Sequence, residues 1–159
     1  MMILALDPAS KKTGWCVMLP NGDLQDFGCF SYPNKMELNQ RLHNLRFDLC
    51  LLMKKHPIET VVIEDLEPRR GANWGVGFYA QAVGVCKAVA WTYMDSPQVY
   101  GVGVQTWKGS GRKKDTIQAV NMLYDLALKD DNTADAIGLA VWFQKRMEYN
   151  PLPPLAEME

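Results

Sequence analysis

Histidine is nearly missing from this sequence: His43 and His56 are the only two in 159 residues, which argues against a zinc centre built on imidazoles. Cysteine is present but unpaired in pattern. Cys16, Cys29, Cys50 and Cys86 contain no C-x-x-C, which argues against a zinc ribbon, a thioredoxin-type redox pair and a disulfide-dense secreted scaffold. No long apolar run exists either. The longest uncharged stretch, residues 71–86, is 16 residues with four glycines, Asn73 and Gln81, short of the roughly 20 apolar residues a bilayer requires. No basic segment followed by an apolar stretch opens the chain, so a signal peptide is not expected and the cytosol is the expected compartment. Charge of one sign is lacking too. Seventeen Lys and Arg against eighteen Asp and Glu leave −1, a weak argument against a nucleic-acid partner unless acids and bases are segregated. With hydrophobic residues at 48% and charged residues at 22%, the chain is of ordinary globular type, and any chemistry must rest on carboxylates.

What is present has a clear order. An apolar run at 3–6 ends at Asp7-Pro8; residues 13–19 read as a second strand, and Asn21-Gly22 is a hairpin turn signal leading to a third strand over 24–32. Leu38, Leu42, Leu45, Leu49 and Leu52 then recur at helical spacing, predicting an amphipathic helix over 35–55 that stops at His56-Pro57. Both histidines are expected at the surface. The β-branched run T-V-V-I at 60–63 predicts a buried central strand, again ending at an acid, Glu64. Helices are expected over 76–94, 114–128 and 133–147, with a strand at 99–104 and a loose, proline-rich tail over 150–159. The expectation is one α/β domain over 1–149: a five-stranded mixed sheet, three strands antiparallel and two parallel, flanked by helices.

Two strands end in acids, and open α/β sheets bind ligands outside their strand C-termini. If the two strands pair in parallel, Asp7 and Glu64 lie side by side. A third acidic group, D-D-N-T-A-D over 130–135, opens the last helix, where Asn132 or Asp131 shares a face with Asp135. Carboxylates gathered this way repel unless a cation joins them, and hard oxygen donors without imidazole or thiolate select Mg²⁺ or Mn²⁺. Two such ions can clamp the attacking and leaving oxygens of a phosphodiester. Each acid also has a plainer use. Asp7 before Pro8 suits a turn, Asn132 with Asp135 resembles a capping box, and Glu64 can pair with Arg69 or Arg70.

Basic residues cluster where a phosphate backbone would pass. Lys108, Arg112, Lys113 and Lys114 surround Gly109 and Gly111 ahead of a helix, Arg69 and Arg70 follow Glu64, and Trp107 offers a face for stacking on a base. In isolation such a segment is more often a solvated loop; beside a carboxylate cluster it favours DNA.

The chain resembles RuvC-type Holliday-junction resolvases of the RNase H-like superfamily. The likeness rests on I-L-A-L-D-P-A-S-K-K-T-G over 3–14, V-V-I-E ending at Glu64, A-Q-A-V-G-V over 80–85, G-S-G over 109–111 with Lys113 and Lys114, and A-D-A around Asp135. The motifs run in order from residue 3 to about 143, and the size suits a bacteriophage version, acting in the host cytoplasm. The resemblance implies an RNase H-like fold, a homodimer, Mg²⁺-dependent nicking of four-way DNA junctions, and Asp7, Glu64 and Asp135 as metal ligands. Asp7 would bridge two ions, and Lys113 or Lys114 would stabilise charge on the phosphate. The family has an acid where this chain has Asn132, so Asp131 or the Asn132 carbonyl is left to take that place. The family's aromatic wedge is replaced by Glu67, leaving Trp74, Phe78 or Tyr79 as candidate stacking residues or as core. Residues 7–14 also resemble the phosphate loop of actin-like sugar kinases, which need two such domains around a cleft. The other readings are a non-cleaving branched-DNA-binding protein and an RNase H-like nuclease acting on flaps or RNA–DNA hybrids.

Overall fold

Apolar on both faces, the opening run forms β1 (Ile3–Asp7), a strand that only the middle of a sheet can accommodate. It is the third strand in the order β3-β2-β1-β4-β5 of a five-stranded sheet. β2 (Lys12–Met18) pairs antiparallel with β1 and with β3 (Leu24–Ser31), while β4 (Thr60–Asp65) runs parallel to β1 and to β5 (Gln98–Gly103). The expected mixed sheet, three strands antiparallel and two parallel, is therefore present. A computed structural model describes residues 2–66, 74–93, 98–109 and 112–155, without the side chains of 74–76 and 113.

Side chains alternate along each strand, and the two sets go to two separate cores. Leu4, Leu6, Val17, Val61, Ile63 and Val99 face α1 (Leu38–Lys55) and α2 (Trp74–Tyr93). Ile3, Ala5, Cys16, Met18, Val62, Tyr100 and Val102 face α5 (Asp131–Tyr149) and α4 (Lys113–Tyr124). A short helix absent from the sequence expectation, α3 (Val104–Lys108), follows β5 directly. Five residues carry too little periodicity to register as a helix in the sequence.

Several boundaries move for local reasons. α4 stops at Tyr124 and not at 128, because Asp125 adopts a left-handed conformation (φ 52°) and the Asn121 amide closes on the backbone of Leu128. α5 starts at Asp131, two residues early, because Asp130 caps it by accepting from the Thr133 N–H and hydroxyl at 2.9 and 2.8 Å. Asn132 is thus inside the helix and is not its cap. His56, expected at the surface, is buried, with Nε2 3.1 Å from the Asp26 carboxylate; His43 is exposed. In the C-terminal segment, Leu152 packs on the α5-side core and Leu155 on the opposite one. Among the described residues no helix is long and apolar enough to cross a membrane.

Candidate active site

Strand parity aims the acids. Asp7 continues the set of Ile3 and Ala5, and Glu64 continues that of Val62, so both carboxylates leave the sheet on the α5 side. The parallel register pairs Leu6 with Ile63, which makes Asp7 and Glu64 neighbours one step beyond it, at the C-terminal ends of adjacent strands. Asp65, next in β4, points to the other face, where Lys87 of α2 holds it at 2.6 Å and Gly101 leaves it room.

Asp135 arrives from the helix above. Gly14 lies opposite Asp7 across β1 and β2, and a Cβ there would sit 1.9 Å from the Asn132 carbonyl oxygen. Only glycine lets the first turn of α5 rest this close to the sheet. One turn on, Asp135 is buried, as few carboxylates are unless paired. Its partner is Lys108, with Nζ 2.5 Å from Oδ1 and both side chains 9% exposed. The neighbouring Trp107 donates its indole N–H to Glu64 Oε2 at 2.9 Å, and the Tyr79 hydroxyl donates to the Glu64 carbonyl at 2.9 Å. Burial pushes the Glu64 carboxyl above its usual range; the Trp107 bond opposes that rise, and the charge of Asp135 adds to it. Burial likewise raises the Tyr79 phenol, and after it the charges of Glu64 and Asp7, so that both acids are felt at the same hydroxyl.

Asp7, Glu64 and Asp135 are thus brought to one side of the sheet edge. The donor set, carboxylate oxygens without thiolate or imidazole, suits a hard divalent cation. Among the described residues, however, no group of three or more acidic, Cys or His side chains is gathered closely enough to share an ion. Trp107 and Lys108 instead take one oxygen each from Glu64 and Asp135. The sequence suggests DNA contacts for Trp107 and Lys108, whereas in the folded chain Lys108 pairs with Asp135 and Trp107 with Glu64. The signal available was positional, since α3 begins right after Gly103, which stands beside Asp65 in the β4–β5 register.

The remaining candidates fall into two groups. Asp131 and Asn132 occupy the first turn of α5, half-buried, with the Asn132 amide 3.4 Å from the Asp131 carboxylate. Arg112 and Lys114 are exposed around the start of α4, where Asp115 accepts from the Arg112 N–H at 3.1 Å. Lys113 belongs to α4 by its backbone, while Arg69, Arg70 and Glu67 lie outside the described residues. Of the possible stacking aromatics, Phe78 is exposed and Tyr79 is half-buried against the core and Glu64; the Trp74 side chain lies outside the described residues.

Neither a family model nor a curated protein matches the chain. Solved structures do. The chain superposes on the RuvC of T. thermophilus in complex with a Holliday junction substrate with a TM-score of 0.80, at 17% identity over 98% of this chain and 99% of that one. The chain has the RuvC fold. A second Thermus thermophilus RuvC structure agrees at a TM-score of 0.76, with 18% identity over 98% of this chain and all of that one. The yeast mitochondrial Holliday junction resolvase is more distant, with a TM-score of 0.57 and 14% identity over 94% of this chain and 81% of that chain. At these identities the likeness establishes the RuvC fold, and the residues of the site must carry the rest.

Proposed function

We propose that this chain is a metal-dependent, structure-selective DNA endonuclease that resolves four-way junctions by paired phosphodiester nicks, acting as a homodimer. The observation that carries the reading is the placement of Asp7 and Glu64 at adjacent parallel strand ends, on the face against which α5 presents Asp135. Fold stability alone gains nothing from a buried Asp135 facing two half-buried acids at a sheet edge, because desolvation and like charge both cost free energy.

Asp7, Glu64 and Asp135 would hold the cation, with Asp131 or the Asn132 side-chain amide oxygen as the further ligand. A bound Mg²⁺ or Mn²⁺ supplies an activated water and neutralises charge on the phosphate, and a two-ion site would divide those tasks. The chain's own contribution is positional. Gly14 and the Asp130 cap set the height and start of α5, and Trp107 fixes the Glu64 carboxylate. Arg112 and Lys114, exposed around the start of α4, and Lys113 beside them in sequence would meet backbone phosphates, with Lys114 or Lys113 stabilising charge at the scissile one. Arg69 and Arg70 would extend that track beyond β4. A second copy would present two such sites to a two-fold branched substrate. Gly77 and Gly84 of α2, which have open space where a Cβ would be, and the exposed Phe78 and Trp91 suit a contact between copies.

The test is nicking of an end-labelled four-way junction in Mg²⁺ or Mn²⁺, set against linear duplex, flap and RNA–DNA hybrid. Two observations favour a second reading, a junction-binding protein without cleavage: Lys108 pairs with Asp135, and Asn132 stands where the family has an acid. Tight, metal-independent junction binding with no nicks in either metal would select it.

A further inference from the structure

Lys108 brings to the site a charge of the sign a metal ion would bring. Its ammonium lies 2.5 Å from Asp135 Oδ1, with both side chains withdrawn from water, and 5.3 Å from the centre of the Trp107 ring. The same short helix anchors a second acid, since Trp107 is bonded to Glu64 at 2.9 Å. Its seat on α5 is close: a Cβ on Gly138 would be 3.1 Å from the Trp107 ring. Thus α3 supplies one donor to each of two acids.

An ammonium and a carboxylate this far from solvent persist because each compensates the other's lost hydration. A divalent ion on the same carboxylates offers that compensation with twice the charge, and two cations on one small group of acids repel strongly where water screens poorly. Resting on the reading of this site as metal-binding, we propose that Lys108 is an internal counter-ion which competes with a divalent cation for Asp135. Cation binding and the departure of Lys108 from Asp135 are then one event. Lys108 keeps the acids tolerable in the empty protein at the expense of metal affinity, and it is freed beside the site when the cation arrives. Its role is that of a positioning residue.

Competition is reciprocal, so removing Lys108's charge must tighten cation binding. The measurement is Mn²⁺ binding to the full-length protein without DNA, followed by the electron paramagnetic resonance of free Mn²⁺. Wild type is compared with Lys108→Met and Lys108→Gln, the glutamine retaining a donor for Asp135 without the charge. Both variants are expected to bind Mn²⁺ about tenfold more tightly than wild type. They are also expected to melt below wild type in EDTA and to gain more in melting temperature from Mn²⁺ than wild type does. The gain in affinity should vanish in Lys108→Gln combined with Asp135→Asn. If Lys108→Met does not fold, Lys108→Gln carries the comparison. Wild-type binding of Mn²⁺ with equal or weaker binding by the variants overturns the counter-ion role and leaves the metal-binding site standing. Absence of Mn²⁺ binding by all of them overturns both.

Discussion

Gly14 and Asn132 touch across the sheet–helix boundary: the missing Cβ of one marks the position of the carbonyl of the other, 1.9 Å away. Because Gly14 is also the cross-strand partner of Asp7, this single contact sets how near α5 brings Asp135 to the strand-end acids. Gly14→Ala cannot be absorbed by a side-chain rotation, since the obstructing atom is backbone. It should cost at least the ~1–3 kcal/mol typical of overpacking, read from urea denaturation, and should lower nicking activity by lifting α5. An unchanged midpoint would show that α5 is free to move.

Trp107 ties Glu64 in place through a hydrogen bond that phenylalanine cannot make. Trp107→Phe keeps an aromatic ring against Gly138 while leaving a mostly buried carboxylate oxygen without its donor. Bonds to charged groups contribute ~1.5–3 kcal/mol, so a loss of about 2 kcal/mol in denaturant stability is expected. Junction cleavage should fall with it, because Glu64 is no longer held.

Much of the candidate site was legible in the sequence, for a physical reason. Buried strands announce themselves by apolar or β-branched runs, and a charged residue that ends such a run must lie at the sheet edge; Asp7 and Glu64 were readable on that basis alone. Alternation along a strand then decides the face each acid takes. Asp135 was readable from its place near a helix start, although the cap proved to be Asp130. The partners of the acids were not legible. Trp107 reaches Glu64 across 43 positions and Lys108 reaches Asp135 across 27, and both sit on a helix too short to leave a periodic signature. His56 escaped in the same way, since its burial depends on Asp26, 30 positions earlier on β3.

Asp26 gives the fold a defined acid sensitivity away from the site. Its hydrogen bond from Lys55, at 2.6 Å, holds its carboxyl below the ordinary 3.8 against a counteracting effect of burial, with His56 assisting. A carboxyl with a folded-state pKa below its unfolded value contributes stability that is complete above the unfolded value and disappears as pH falls through the folded one. Wild type should therefore melt above Asp26→Asn at neutral pH, and the gap should start closing below pH ~4 as the pH approaches the folded-state value. A gap that is constant down to pH ~2 would mean that the charge of Asp26 contributes nothing.

Lys113 and Lys114 open α4, and Lys114 is exposed. If they contact phosphates, Lys113→Ala with Lys114→Ala should weaken junction binding and flatten its salt dependence. Each lost phosphate contact should remove about 0.9 from the slope of log affinity against log salt, so a change of ~1–2 is expected. An unchanged slope would place the DNA track elsewhere on the surface.

Metal-dependent junction cleavage is tested most directly with wild type and Asp7→Asn on a four-way junction in EDTA, Mg²⁺ and Mn²⁺, with linear duplex and RNA–DNA hybrid alongside. Paired nicks are expected in the junction alone, only with metal, falling by about a thousandfold in Asp7→Asn, or ~4 kcal/mol in the barrier, while junction binding persists. Nicking by Asp7→Asn at the wild-type rate, or no nicking of the junction by wild type in either metal, would contradict that expectation.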